Sequence, residues 1–154
     1  MSKPSRVQCN IPRTLIFTAL IAATGCTYVG RVNVPTGPIQ GQPLATAPST
    51  SPDISADGNV IAYVSEQSDL VPGDNNGVAD VFVRSGNTTT RVNVTPAGTD
   101  SAMPASDPAV SCDGRYVVFV SEAADLVVGD TNGVADIFIR DLATHMAQRV
   151  NLAA

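Results

Sequence analysis

The chain has 154 residues, enough for one ordinary domain, with 14 acidic against 9 basic residues and a formal net charge of −5. No basic patch stands out, so binding to a nucleic-acid backbone is not expected.

In chain order, the first feature is an export pattern. Lys3, Arg6 and Arg13 give a basic start without acids, Thr14 to Ala23 (TLIFTALIAA) is an apolar run, and Ala23-Thr24-Gly25 places small residues before Cys26. This tripartite arrangement predicts a signal peptide over residues 1–25. The run falls short of the ~20 residues that span a bilayer as a helix. The stretch Leu20-Ile21-Ala22-Ala23-Thr24-Gly25-Cys26 resembles a bacterial lipobox, in which the Cys becomes the acylated N-terminus. Ala23 stands where lipoboxes usually carry Leu, and Ala23-x-Gly25 also suits an ordinary signal peptidase cutting at the same bond. The resemblance implies an acyl anchor at Cys26 that holds the chain on a membrane without crossing it. Thr27 in place of Asp implies the outer membrane of a Gram-negative cell, facing the periplasm or the surface. Removing the signal takes away three basic residues, so the mature chain stands at 6 − 14 = −8. Cys9 leaves with the signal and Cys26 is acylated, so Cys112 is left without an intramolecular partner and reads as a small buried residue.

Residues 26–50 comprise the lipidated end, a short alternating strand at 27–34 (TYVGRVNV) and an uncharged Pro/Gly/Thr-rich linker. A repeat follows. Residues 51–84 and 107–140 align without a gap at an offset of 107 − 51 = 56, with 19 of 34 positions identical. Such periodicity marks units that cannot bury an apolar face alone. In the first unit, blade 1 over residues 51–94, strands are predicted at Pro52–Ser55, Val60–Ser65, Asp80–Arg84 and Thr88–Val94. Asp57-Gly58 supplies a hairpin turn. Residues 95–106 form an inter-blade loop. Blade 2, over residues 107–154, repeats the plan at Pro108–Ser111, Arg115–Ser121, Asp136–Asp141 and Ala147–Leu152. The triplet Arg-Val-Asn recurs at 31–33, 91–93 and 149–151. Short strands with Gly and Asp turns and no helical period predict an all-β fold. Four antiparallel strands per unit is the blade plan of a β-propeller.

The shared pattern, from the SxDG turn through VSE to DLVxGDxNGVAD, resembles the TolB-like (WD-like) β-propeller repeat of exported bacterial proteins. The resemblance covers about residues 51–94 and 107–152 and implies a propeller scaffold with a binding role, toward a protein or cell-envelope component. Two blades are fewer than the four or more of a closed propeller. Three readings follow: a truncated gene product, a homo-oligomer completing a ring (three chains of two blades make six), or an open pair. An open pair exposes edges and apolar faces that favour association.

The loop before the third strand reads Asp74-Asn75-Asn76-Gly77-Val78-Ala79-Asp80, with its twin at 130–136. Calcium takes six to eight oxygen ligands from carboxylates, amides and carbonyls on a tightly turning loop. Asp74, Asn76 and Asp80, with Asp130, Asn132 and Asp136, are therefore candidate Ca2+ ligands, and Asp69 and Asp125 could add a further carboxylate. The loop lacks the acids of an EF-hand, and an Asx-turn that only bonds its own backbone explains the same residues. No catalytic set emerges. His145 is the lone histidine, on a turn, and reads as solvated. Ser65-Glu66 and Ser121-Glu122 repeat at strand ends, where a structural part is expected, their carboxylates bonding loop amides. A non-enzymatic binding or scaffold protein is the leading reading. A fragment of a larger propeller hydrolase or lyase is the alternative.

Overall fold

The computed structural model of the protein describes residues 46–152. The signal, Cys26, the strand expected at 27–34 and the linker up to residue 45 lie outside the described residues. Within them, eight strands form two four-stranded antiparallel sheets, each a simple meander. Blade 1 contains β1 (Ser49–Ile54), β2 (Val60–Ser65), β3 (Asp80–Ser85) and β4 (Thr88–Arg91). Blade 2 contains β5 (Ala105–Val110), β6 (Tyr116–Ser121), β7 (Asp136–Asp141) and β8 (Ala147–Arg149). The all-β, two-blade expectation holds, with no closed barrel among the described residues.

The central strands are runs of β-branched and aromatic residues, which suit a sheet covered on both faces. Their registers match. Tyr63 pairs with Phe82 and Phe119 with Phe138, each couple offset-stacked with centroids 5.9 and 5.7 Å apart. The SxDG turns are built alike. Ser55 Oγ donates to the Asp57 carboxylate (2.6 Å), which also accepts from the Asn59 N–H (3.0 Å). Ser111, Asp113 and Arg115 repeat this at 2.5 and 3.0 Å.

Both first strands begin before the predicted residue. Pro52 and Pro108 have no N–H for the ladder. The chain steps past them by a bulge, with Ser51 at φ 52° and Asp107 at φ 51° and a register shift at the same point of each blade. Both fourth strands end early, at the Arg of the Arg-Val-Asn triplet. The Asn side chain takes over there as a ladder acceptor: Asn93 Oδ1 accepts from the Val81 N–H (2.9 Å) and Asn151 Oδ1 from the Ile137 N–H (3.0 Å).

The blades belong to one compact unit. Ala62, Val64, Val81 and Val83 from blade 1 meet Val117, Phe119 and Phe138 from blade 2 in one core, which Leu126 plugs from its loop. At the inner end, the Ala56 N–H donates to the Cys112 carbonyl (3.0 Å) and the Val110 N–H to the Asp53 carboxylate (2.6 Å). Cys112 itself departs from expectation. It is exposed on its turn and is disulfide-bonded, with a partner outside the described residues. Elimination by sequence failed here because it assumed that both other cysteines were consumed.

The two blades differ in what covers them. Val81 and Val92 of blade 1 are 0% and 1% exposed in the core they share with blade 2, and Val94 is 8% exposed. Their counterparts Ile137, Val150 and Leu152 are 43%, 49% and 64% exposed. One face of blade 2 is thus an uncovered copy of the face that forms the inter-blade core.

Candidate functional site

Each long loop between second and third strands is anchored by a leucine, Leu70 or Leu126, sunk into the apolar core. This fixes where the polar half of the loop can reach. In blade 1 the reach ends at a guanidinium. Arg91 Nη1 lies 3.0 Å from Asp74 and 3.2 Å from Asp80, and Nη2 pairs with Asp100 from the inter-blade segment. Asp80 is completely buried. It also accepts from Asn93 Nδ2 at 2.6 Å and from Asn76 Nδ2 at 3.1 Å. Asp100 further accepts from the Asn75 N–H (2.9 Å), and Asn76 Nδ2 donates to the Ser101 carbonyl (3.0 Å). The blade 1 clasp therefore ties together loop, fourth strand and connector.

Blade 2 repeats the core of this clasp. Arg149 Nη1 lies 2.7 Å from Asp130 and 3.1 Å from Asp136. Asp136 accepts from Asn151 Nδ2 (2.5 Å) and Asn132 Nδ2 (2.9 Å). Among the described residues Arg149 has no third carboxylate, and its side chain is 19% exposed against 5% for Arg91.

All six residues singled out by sequence are thus brought together, three per blade. The positive charge they meet is an arginine of the same blade. Asn76 and Asn132 present amide nitrogens to the carboxylates. Their oxygens accept from the Val78 and Val134 N–H groups at 3.2 Å, an Asx-turn. As arranged, the carboxylates of each loop face the arginine and the amide N–H groups of their own blade. Asp69 and Asp125 act elsewhere. Asp69 accepts from Gln67, and Asp125 accepts from Ser101 Oγ at 2.8 Å.

The arginine and the second asparagine of each clasp come from the Arg-Val-Asn triplet that ends each repeat. The usable signal was that triplet and loop recur together, so each acid pair has its own arginine. At the strand ends, the serine hydroxyls rather than Glu66 and Glu122 hold the loop backbone: Ser65 Oγ and Ser121 Oγ accept from the residue two ahead, each at 3.2 Å. His145 is exposed on its turn, as expected, and adopts φ 59°.

The two clasps differ in charge. Burial opposes the charge on Asp136, but hydrogen bonds from Asn151, Asn132 and Arg149 outweigh it and hold the carboxyl below its usual range. Asp74 goes the other way. Burial first, then the charge of Asp80, push it up to about 6, with Asp100 adding to the push and Arg91 opposing it. A carboxyl raised above its unfolded value of 3.8 holds a proton more tightly folded than unfolded. Its contribution to stability is complete below about pH 4 and is lost as pH rises through about 6. Asn cannot ionise. Asp74→Asn should therefore melt above the native chain near ~pH 8, with the gap closing by about pH 4. Thermal unfolding followed by circular dichroism across that range checks this, and a gap independent of pH would refute it.

No protein-family model matches the chain, and no curated protein matches it. Among solved structures the chain is similar to TolB from Acinetobacter baumannii, at 21% identity and a TM-score of 0.40. The match covers 68% of this chain and 22% of TolB, so the chain spans about a fifth of TolB's length.

Proposed function

We propose that the chain is an exported propeller-repeat module with a binding or scaffold role and no catalytic one. The observation that carries this reading is the uncovered face of blade 2, where Ile137, Val150 and Leu152 stand exposed at positions that blade 1 buries. Contiguous exposed apolar surface rimmed by polar groups marks an interaction site. The partner is a protein surface shaped like the next blade, a second copy of this chain among them. The clasps support the absence of catalysis, since Arg91 engages Asp74 and Asp80 and Arg149 engages Asp130 and Asp136 within the same blade.

Export is supported by the N-terminal pattern and by the Cys112 disulfide, since such bonds persist in oxidising compartments. Anchorage turns on Cys26 Sγ. An acyl thioether holds the chain on a membrane, whereas a disulfide to Cys112 releases it, and one sulfur cannot do both. The intact mass of the exported chain separates the two, because a lipid adduct is expected only from the first.

The binding reading is tested by light scattering of the full chain across a concentration series. Concentration-dependent association is expected, and Ile137→Lys with Val150→Lys should abolish it while leaving the melting temperature nearly unchanged. Association that survives both substitutions, or a chain monomeric at every concentration, would sink the reading.

A further inference from the structure

A cleft of about 370 Å³ opens between the outer edge of blade 1 and the β7–β8 hairpin of blade 2, lined among others by Val71, Pro72, Thr90, Val94, Arg140 and His145. Its volume falls within the range of small-molecule sites, about 300–1,000 Å³. Arg140 is only 7% exposed. Among the described residues it makes one hydrogen bond, from Nη1 to the Val94 carbonyl at 3.3 Å, and pairs with no carboxylate. Burial alone pulls its pKa down, with no acid near enough to oppose the shift. A buried cation without a counter-charge is costly and is normally found paired. Arg91 also borders the cleft, but its charge is engaged by Asp74, Asp80 and Asp100.

The repeat supplies an internal control. Arg84 holds the equivalent position in blade 1 and is equally buried. Its Nη1 donates to Thr89 Oγ1 and its Nε to the Gly86 carbonyl, both at 2.9 Å. Thr89 pairs across the sheet with Arg84 as Ala147 pairs with Arg140. Blade 2 has therefore lost the hydroxyl that occupies its twin, and its guanidinium keeps unused N–H groups beside the cleft.

We propose that this cleft binds a small organic carboxylate, whose oxygens accept from Arg140 while its apolar body lies against Val71, Pro72 and Val94. The planar guanidinium matches a carboxylate by two parallel hydrogen bonds. The apolar wall selects a ligand with a short hydrocarbon body over a bare inorganic anion. This site is separate from the free face of blade 2 and does not depend on it.

The test titrates the full chain with butyrate, inorganic phosphate and chloride while following the Arg140 Nε–H resonance by NMR. A saturable shift with butyrate is expected, with phosphate several-fold weaker and chloride without effect. Arg140→Gln, which lacks that resonance and is followed instead through the backbone amide of Val94, should weaken butyrate binding at least tenfold. Ala147→Thr keeps Arg140 but restores the hydroxyl of the blade 1 arrangement, so it should weaken binding several-fold, and it carries the test should Arg140→Gln fail to fold. Absence of a saturable shift, an equal response to phosphate, or butyrate binding untouched by Ala147→Thr overturns the proposal.

Discussion

Replacing Arg91 with Ala is expected to cost about 3–5 kcal/mol, the range for breaking a buried ion pair from one side. Three carboxylates then lose their only guanidinium. Asp80 is the worst placed, being wholly buried and left with amide donors alone. Asp100 would also lose its hold on Arg91, loosening the connector between the blades. Arg149→Ala removes the equivalent group from a clasp with two acids and more solvent, so it should cost clearly less, roughly 1–3 kcal/mol for a partly screened pair. Chemical denaturation of both variants beside the native chain measures the difference, and equal costs would show that Asp100 and the deeper burial contribute nothing. The same variants address calcium. With Arg91 and Arg149 in place the loop acids are already neutralised, so calcium should leave the melting temperature nearly unchanged. With both replaced by Ala, the vacated acids should gain a calcium-dependent rise. A rise already present in the native chain, and abolished by Asp74→Ala with Asp130→Ala, would instead place calcium in the native loops.

Gly114→Ala is expected to be the second large loss, about 2–5 kcal/mol, of which roughly 1–2 is left-handed backbone and 1–3 overpacking. Gly114 sits at φ +71°, and a Cβ there would lie 2.8 Å from Val60 Cγ2 and 3.2 Å from Val60 Cβ. Val60 is β-branched and held in a strand, so it has little room to turn away. Gly58, at the same point of blade 1, has nearly the same φ of +74° but would meet only Ile54 Cδ1 at 3.9 Å. Gly58→Ala should therefore pay the backbone cost alone. The difference between the two variants isolates the contact between blades at their inner end. Similar losses would mean that the Gly114 turn does not press on blade 1.

The local grammar of this protein is written in its residues. Runs such as Val60–Ser65 and Tyr116–Ser121 read as strands, Asp-Gly pairs as turns, and a gapless repeat as two equal meanders. The same reasoning gathered Asp74, Asn76 and Asp80 into one cluster, because an Asx-turn folds residues two and four apart toward each other. It could not supply the cluster's cation. Arg91 is 17 residues from Asp74 (91 − 74) and reaches it only because β4 pairs with β3 and Leu70 pins the loop.

Fourth-strand ends were overextended for a related reason. Val92 and Val94 look like strand residues, yet Asn93 trades the backbone ladder for a side-chain one. Sequence alone thus determined the elements, their order and the acid and amide residues that each loop gathers, because these depend on neighbours within a few residues. Tertiary structure decided which charges neutralise which, which of two matching valine and isoleucine faces is covered, that Cys112 is exposed and bonded, and that Arg140 rather than Arg84 borders the cleft beside His145. Those outcomes depend on how one blade lies against the next, and two repeats that agree at 19 of 34 aligned positions, with matching apolar faces, do not say locally which neighbour each face will meet.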